Sequence, residues 1–133
     1  FPVISSVQRA VFMRLFEGPL LFCSFTDMRR DWKQRKGMTF KCEGGEFTGY
    51  GLFAALSFDE GKSWPVRKLI TPGGPERSLP SIDRSEFVLS DTMAESGGYL
   101  AATEARDGKI HLVSSKNHYA FNLAWIKQLP PAR

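Results

Sequence analysis

The chain has 133 residues, of which 42% are hydrophobic and 24% charged, with a net charge of +4. This is the composition of one folded domain and excludes a disordered chain. The basic residues form no dense stripe, so nucleic acid is not an expected partner. No apolar run approaches the roughly 20 residues of a membrane-crossing helix, so no membrane is expected either.

Read in chain order, the pattern is almost all β. The opening at Phe1, with no secretory apolar segment, reads as a processed protein or a piece of a longer one. A weak helix pattern over Ser5 to Val11 is rejected, because β-branched and aromatic residues dominate it. Ala10 to Leu15 and Leu20 to Phe25 are two apolar runs around Glu17-Gly18-Pro19, a hairpin signature. Cys23 lies inside the second run and reads as a buried thiol; with Cys42 it allows a disulfide without arguing for one. Asp27 to Phe47 is polar and rich in Lys and Arg. Tyr50 to Phe58 and Pro65 to Ile70 are the next predicted strands, and Thr71-Pro72-Gly73-Gly74-Pro75 opens a long connector. Tyr99 to Thr103, Ile110 to Ser114 and His118 to Ile126 follow as three more, the first two joined through Arg106-Asp107-Gly108-Lys109.

The two halves repeat. Shifted by 90 residues, Gly108 falls on Gly18, Ile110 on Leu20 and Leu112 on Phe22. Further on, Tyr119-Ala120-Phe121 matches Tyr50-Gly51-Leu52 at an offset of 69, which leaves 21 surplus residues in the first unit as an insertion over 27–47. The fold expected is all-β, with two four-stranded antiparallel blades of a β-propeller. Residues 9–70 form the first blade, 71–98 a connector and 99–126 the second blade. The second unit shows three strands, and its fourth is expected from Phe1-Pro2-Val3-Ile4 or from another chain.

Ser57-Phe58-Asp59-Glu60-Gly61-Lys62-Ser63-Trp64 has the spacing S-x-D-x-G-x-x-W between the third and fourth strands. Gly61 supplies the positive φ of a tight turn, Ser57 and Asp59 accept from its backbone N–H groups, and Trp64 folds back over the hairpin. The stretch resembles the Asp box of sialidases (neuraminidases) and related six-bladed propellers. Gly98 to Leu112 is similar to the inner hairpin of the last blade in that family. The resemblance covers about residues 9–26 and 48–126. It implies that Ser57, Asp59, Gly61 and Trp64 are peripheral scaffold rather than catalytic residues.

The same resemblance implies a site at the starts of the innermost strands, at Tyr99 and Arg9. Sialidases use a tyrosine nucleophile, and Tyr99 falls on that position, although Leu100 follows where the family commonly has serine. The resemblance makes Tyr99 a nucleophile; the other readings are a non-covalent sugar contact and a packed axial side chain. Arg9 reads as a contact for a sugar carboxylate or as a solvated strand-end arginine; Arg14 lies further down the strand. Glu95 is a candidate to activate Tyr99 or a solvated loop acid, and His118 a sugar contact or a turn histidine. His111 reads as a core or edge residue. The two histidines are not spaced as metal ligands, and no metal or cofactor is expected. No residue matches the family's acid/base aspartate, and its arginine triad is incomplete. Arg29, Arg30, Lys33, Arg35, Lys36 and Lys41 of the insertion make a basic rim or a solvated loop, with Trp32 available to stack on a sugar.

The function expected is thus a sialidase-like glycoside hydrolase acting on acidic sugars. The alternatives are a lectin-like propeller without turnover and a structural domain. The expected partners are a carbohydrate ligand and two further copies of the chain, since three copies of two blades make a six-bladed ring. An extracytoplasmic location follows only from the resemblance.

Overall fold

The computed structural model describes residue 4, residues 9–27 and residues 32–133, with the backbone alone at Trp32. They form a β-rich chain of four antiparallel sheets, none closed into a barrel. The first sheet is a four-stranded meander, β1 (Val11–Arg14), β2 (Leu20–Phe25), β5 (Leu52–Ser57) and β6 (Val66–Leu69), in that order. Between β2 and β5 the chain makes a single 3-10 turn at Trp32–Gln34 and a hairpin of β3 (Met38–Cys42) and β4 (Gly45–Gly49). A second hairpin, β7 (Arg77–Pro80) and β8 (Glu86–Leu89), occupies the predicted connector. The last sheet holds β9 (Ala101–Glu104), β10 (Ile110–Val113) and β11 (His118–Phe121), followed by the short helix α1 (Leu123–Lys127).

The repeat at an offset of 90 is present bond for bond in the first hairpin of each large sheet. Leu15 N–H donates to Pro19 O and Gly18 N–H to Leu15 O, each at 2.9 Å; Ala105 N–H donates to Lys109 O at 2.8 Å and Gly108 N–H to Ala105 O at 2.9 Å. Both glycines sit at positive φ, +115° and +86°. The third strands differ from the expected alignment. Leu20 faces Ser57, and Ile110 faces Phe121, so equivalent third-strand positions stand 64 apart rather than 69. The surplus in the first unit is 26 residues, not 21. Residue likeness aligned Tyr119 with Tyr50, but Tyr50 lies before the bend at Gly51, and hydrogen-bond register sets the true match.

Two other expectations change. The strand predicted over His118 to Ile126 ends at Phe121, where Asn122 caps α1, its Oδ1 accepting from Trp125 N–H at 2.8 Å. A short apolar run does not by itself separate strand from helix, and the asparagine decides it here. The segment offered as a fourth strand for the second sheet goes elsewhere at its one described residue. Ile4 bridges Thr26, at the end of β2. Phe1, Pro2 and Val3 lie outside the described residues, as does most of the rejected helix at Ser5 to Val11.

One hydrophobic core runs through both large sheets. Leu21, Cys23, Phe25, Leu52, Ala54 and Leu56 of the first belong to the same buried cluster as Ile110 and Leu112 of the second and Ile126 of α1. On the opposite face of the first sheet, Phe22 meets Phe53 and Trp64, and Phe53 meets Phe40 of the β3–β4 hairpin. Cys23 and Cys42 are free and buried, and burial pushes the Cys23 thiol up to about 12.

Candidate functional site

Strands β1 and β9, edge strands of the two large sheets, approach each other near both ends. Leu100 N–H donates to Arg9 O at 3.2 Å at one end, and Phe16 N–H donates to Glu104 Oε1 at 2.6 Å at the other. The strand starts carrying Arg9 and Tyr99 are therefore adjacent. Both residues are exposed, Tyr99 to 65%. Tyr99 is anchored by its backbone, whose N–H donates to Ser115 Oγ at 3.0 Å. Gly98 allows this approach: its φ is +147°, and a Cβ there would lie 3.0 Å from Ser115 Oγ. The preceding loop is pinned to the first sheet, with Ala94 N–H donating to Tyr50 O and Leu52 N–H to Glu95 O, each at 2.8 Å. Gly51, at φ +109°, leaves room for it, since a Cβ would stand 2.5 Å from Ala94 O.

Glu95 is fully buried, so the solvated-loop reading fails. Its Oε1 accepts from Ser114 Oγ at 2.7 Å and from Tyr119 O–H at 3.1 Å, while Oε2 has no hydrogen-bond partner among the described residues. Burial raises the Glu95 carboxyl above its ordinary value, and burial together with Glu95 raises the Tyr119 phenol. The phenol of Tyr119 is thus held toward its protonated form, the opposite of an activated nucleophile. The tyrosine–acid pairing looked for at Tyr99 thus occurs at Tyr119. The sequence signal was available: Tyr119 alternates onto the same face as Leu112 and Ile110, the face that meets the first sheet.

His118 and His111 lie on neighbouring strands, with His118 Nε2 3.1 Å from His111 Nδ1. The ring planes are 8° apart and the centroids 5.3 Å apart. That separation is close to the N···N distance plus the reach from each ring centre to its edge, so the rings meet edge to edge and share a hydrogen bond rather than overlapping. His111 is half-buried on β10, the central strand of its sheet, so it is neither an edge nor a fully buried core residue, and its ring is bonded to the other histidine. Among the described residues, no three His, Cys, Asp or Glu side chains gather to hold a metal ion. Beside the pair, a cavity of about 790 Å³ is lined by Asn117, His118, Tyr119, Phe121, Trp125 and Lys109, among others.

The S-x-D-x-G-x-x-W stretch, Ser57 to Trp64, is a closed turn. Ser57 Oγ donates to Asp59 Oδ1 and accepts from Gly61 N–H, both at 2.8 Å; Ser63 N–H donates to Asp59 Oδ1 at 2.8 Å and Ser63 Oγ to Oδ2 at 2.6 Å. These donors hold the Asp59 carboxyl below its ordinary value, Ser63 foremost. Glu60, at φ +59°, pairs with Arg14 at 2.5 Å. Trp64 meets Phe12 and Phe22, at 6.3 and 5.9 Å between ring centroids. Both carboxylates of the motif are thus engaged by the turn and its neighbouring strand. A second S-x-D turn, Ser81-Ile82-Asp83, joins β7 to β8, with Ser85 N–H donating to Asp83 Oδ1 at 3.0 Å and Arg84 at φ +66°. Its Ser-x-Asp spacing was legible but unread.

Of the basic insertion, Lys33, Lys36 and Lys41 are exposed and Arg35 half-buried, while Arg29, Arg30 and the Trp32 side chain lie outside the described residues. No protein-family model, curated protein or solved structure matches this chain.

Proposed function

We propose that the chain supplies two blades of a sialidase-like propeller and acts on an acidic sugar at the mouth beside Arg9 and Tyr99. The carrying observation is the backbone bond from Leu100 to Arg9, which joins the two strand starts where the resemblance expects the substrate. Arg9 offers a planar fork to a sugar carboxylate. Tyr99 offers a hydroxyl that is neutral until a base takes its proton, and so avoids repulsion by that carboxylate. In this reading the Tyr99 oxygen bonds the anomeric carbon as the glycosidic bond breaks. The departing oxygen takes up the proton that Tyr99 gives, and water then displaces the tyrosine, leaving its hydroxyl on the sugar and its other hydrogen on the phenol oxygen. Three copies would complete six blades, with the exposed outer face of the last sheet, at Ala101, Thr103, Val113 and Ala120, meeting the next copy.

The test is release of a fluorophore from a sialoside, with turnover expected for the wild type and lost in Tyr99→Phe. Light scattering is expected to give three times the 15.0 kDa chain mass. A second reading, sugar binding without turnover, is favoured by one observation: the Glu95 carboxyl is engaged by Ser114 and Tyr119 and does not serve Tyr99 as its base. Saturable binding of sialylated glycans with no fluorophore release would select it.

A further inference from the structure

The outer strand β6 buries a cation. Lys68 is 8% exposed, its Nζ donating to Gln128 O at 2.6 Å and lying 4.5 Å from the centre of the Trp125 ring. Among the described residues no carboxylate pairs with it. Burial, and then the nearby Arg133, hold its pKa below the ordinary lysine value. A cation withdrawn from water beside a second cation carries a desolvation cost that a counter-ion would relieve.

The space for that counter-ion exists. A cavity of about 180 Å³ opens between β6, the β3–β4 hairpin and the segment after α1. Lys41, Arg67, Lys68 and Arg133 line it, with Phe47 and Trp125 among its apolar walls, and among the described residues no acidic side chain lines it. Arg133 stacks over Phe47 at 4.3 Å, which fixes its guanidinium at the rim; its contact to Asp91 is long, at 3.8 Å. The cavity stands apart from the Arg9 and Tyr99 mouth, because β6 is three strand spacings from β1, about 14 Å.

We propose that this cavity is an oxyanion site, which takes the sulfate, phosphate or carboxylate group of a ligand. Lys68 is the buried anchor, and Lys41 and Arg133 close over the anion from the rim. The site does not depend on the reading of the mouth: an acidic sugar and a free inorganic anion present the same chemistry to it.

The test follows the Trp125 indole N–H resonance during titration with sodium sulfate, sodium phosphate and sialyllactose, each against sodium chloride at matched ionic strength. A saturable shift beyond that of chloride is expected. Lys68→Met, which keeps the apolar stem, should weaken binding at least about tenfold. Lys41→Gln, at an exposed position that leaves the fold intact, should weaken it about threefold. Sialyllactose binding about tenfold tighter than the inorganic anions identifies a sugar as the source; equal or weaker binding identifies a free anion. No saturable shift with any of the three, or equal affinity in both variants and the wild type, overturns the site. Sialyllactose binding lost in Tyr99→Phe but kept in Lys68→Met supports the mouth and overturns the oxyanion site for that ligand.

Discussion

The two large sheets start alike and end differently. Up to the third strand they share a first-hairpin register 90 residues apart and the same glycine turn. Then Ser57-Phe58-Asp59-Glu60-Gly61 folds the first chain segment back as β6, while Phe121-Asn122 releases the second into α1. The divergence is chemical. Ser57 and Asp59 satisfy the N–H groups of a reversal, whereas Asn122 satisfies the first turn of a helix. The second sheet has three strands among the described residues, and its packing does not suffer, because α1 sets Trp125 against Lys68 of β6 and so ties the second sheet to the edge of the first. A few polar residues after a common third strand thus decide whether a sheet is extended or joined to its neighbour.

The largest way to break this comparison is to remove the side chain that locks the reversal. Trp64→Ala is expected to cost about 3 kcal/mol in chemical denaturation, the lower end for a large aromatic, because the ring is half-buried. The change should loosen β5 and β6 while leaving hydrogen exchange in β9 to β11 near the wild-type rates. Uniform loss across both sheets would mean that the turn from Ser57 to Trp64 supports the whole core rather than one reversal. The shared part of the comparison sharpens with a matched pair. Gly18→Ala and Gly108→Ala each add a Cβ that meets nothing within 4 Å, so only the positive φ is penalised. Each should cost about 1–2 kcal/mol, and equal costs would make the two turns energetically as well as geometrically equivalent.

Glu95 sits where the two sheets meet, and its substitution is expected to act through pH. Its carboxyl is raised above the ordinary 4.5, so the charged form is penalised in the folded state. Stability relative to the unfolded chain therefore falls as pH rises from about the ordinary value through the raised one, and the penalty stays at neutral pH. Glu95→Gln keeps an oxygen for Ser114 and Tyr119 and removes the charge. It should gain about 1 kcal/mol at neutral pH, and that gain should vanish in acid, as followed by urea unfolding across the range. A variant less stable at every pH would show that the carboxylate itself is needed.

Most strands were legible because they are apolar runs bounded by glycine and proline, as at Leu20 to Phe25 and Ile110 to Val113. The β3–β4 hairpin was not, because its alternation, Met38 in, Thr39 out, Phe40 in, Lys41 out, is crowded with charge and reads as a loop. The β7–β8 hairpin was hidden by Pro80 and by four-residue strands. The strand starts at Arg9 and Tyr99 were singled out by the family resemblance together with the repeat. The Glu95–Tyr119 pair and the basic cavity were not, because each joins residues 24 or more apart through sheet packing that no local pattern encodes. The histidine pair failed for a related reason: a spacing of seven says nothing until the hairpin register puts both rings on one face.

The smallest expected effect separates the two chain reversals by acid. Asp59 is held below its ordinary value of 3.8 by Ser63 and Ser57, so its contribution is fully present above that value and is lost as pH falls through the lowered one. Asn122, which plays the corresponding part in the second sheet, does not titrate. Acid should therefore speed exchange of the amides in the β5–β6 turn, such as Gly61 and Ser63, before that of Trp125 at the start of α1. In Asp59→Asn the oxygen that accepts from Ser57 and Ser63 remains, so the turn should persist at neutral pH and lose its acid sensitivity. Equal acid sensitivity in the variant and the wild type would assign the loosening to Glu60 and its pairing with Arg14 instead, and the charge of Asp59 would then have no part in the reversal.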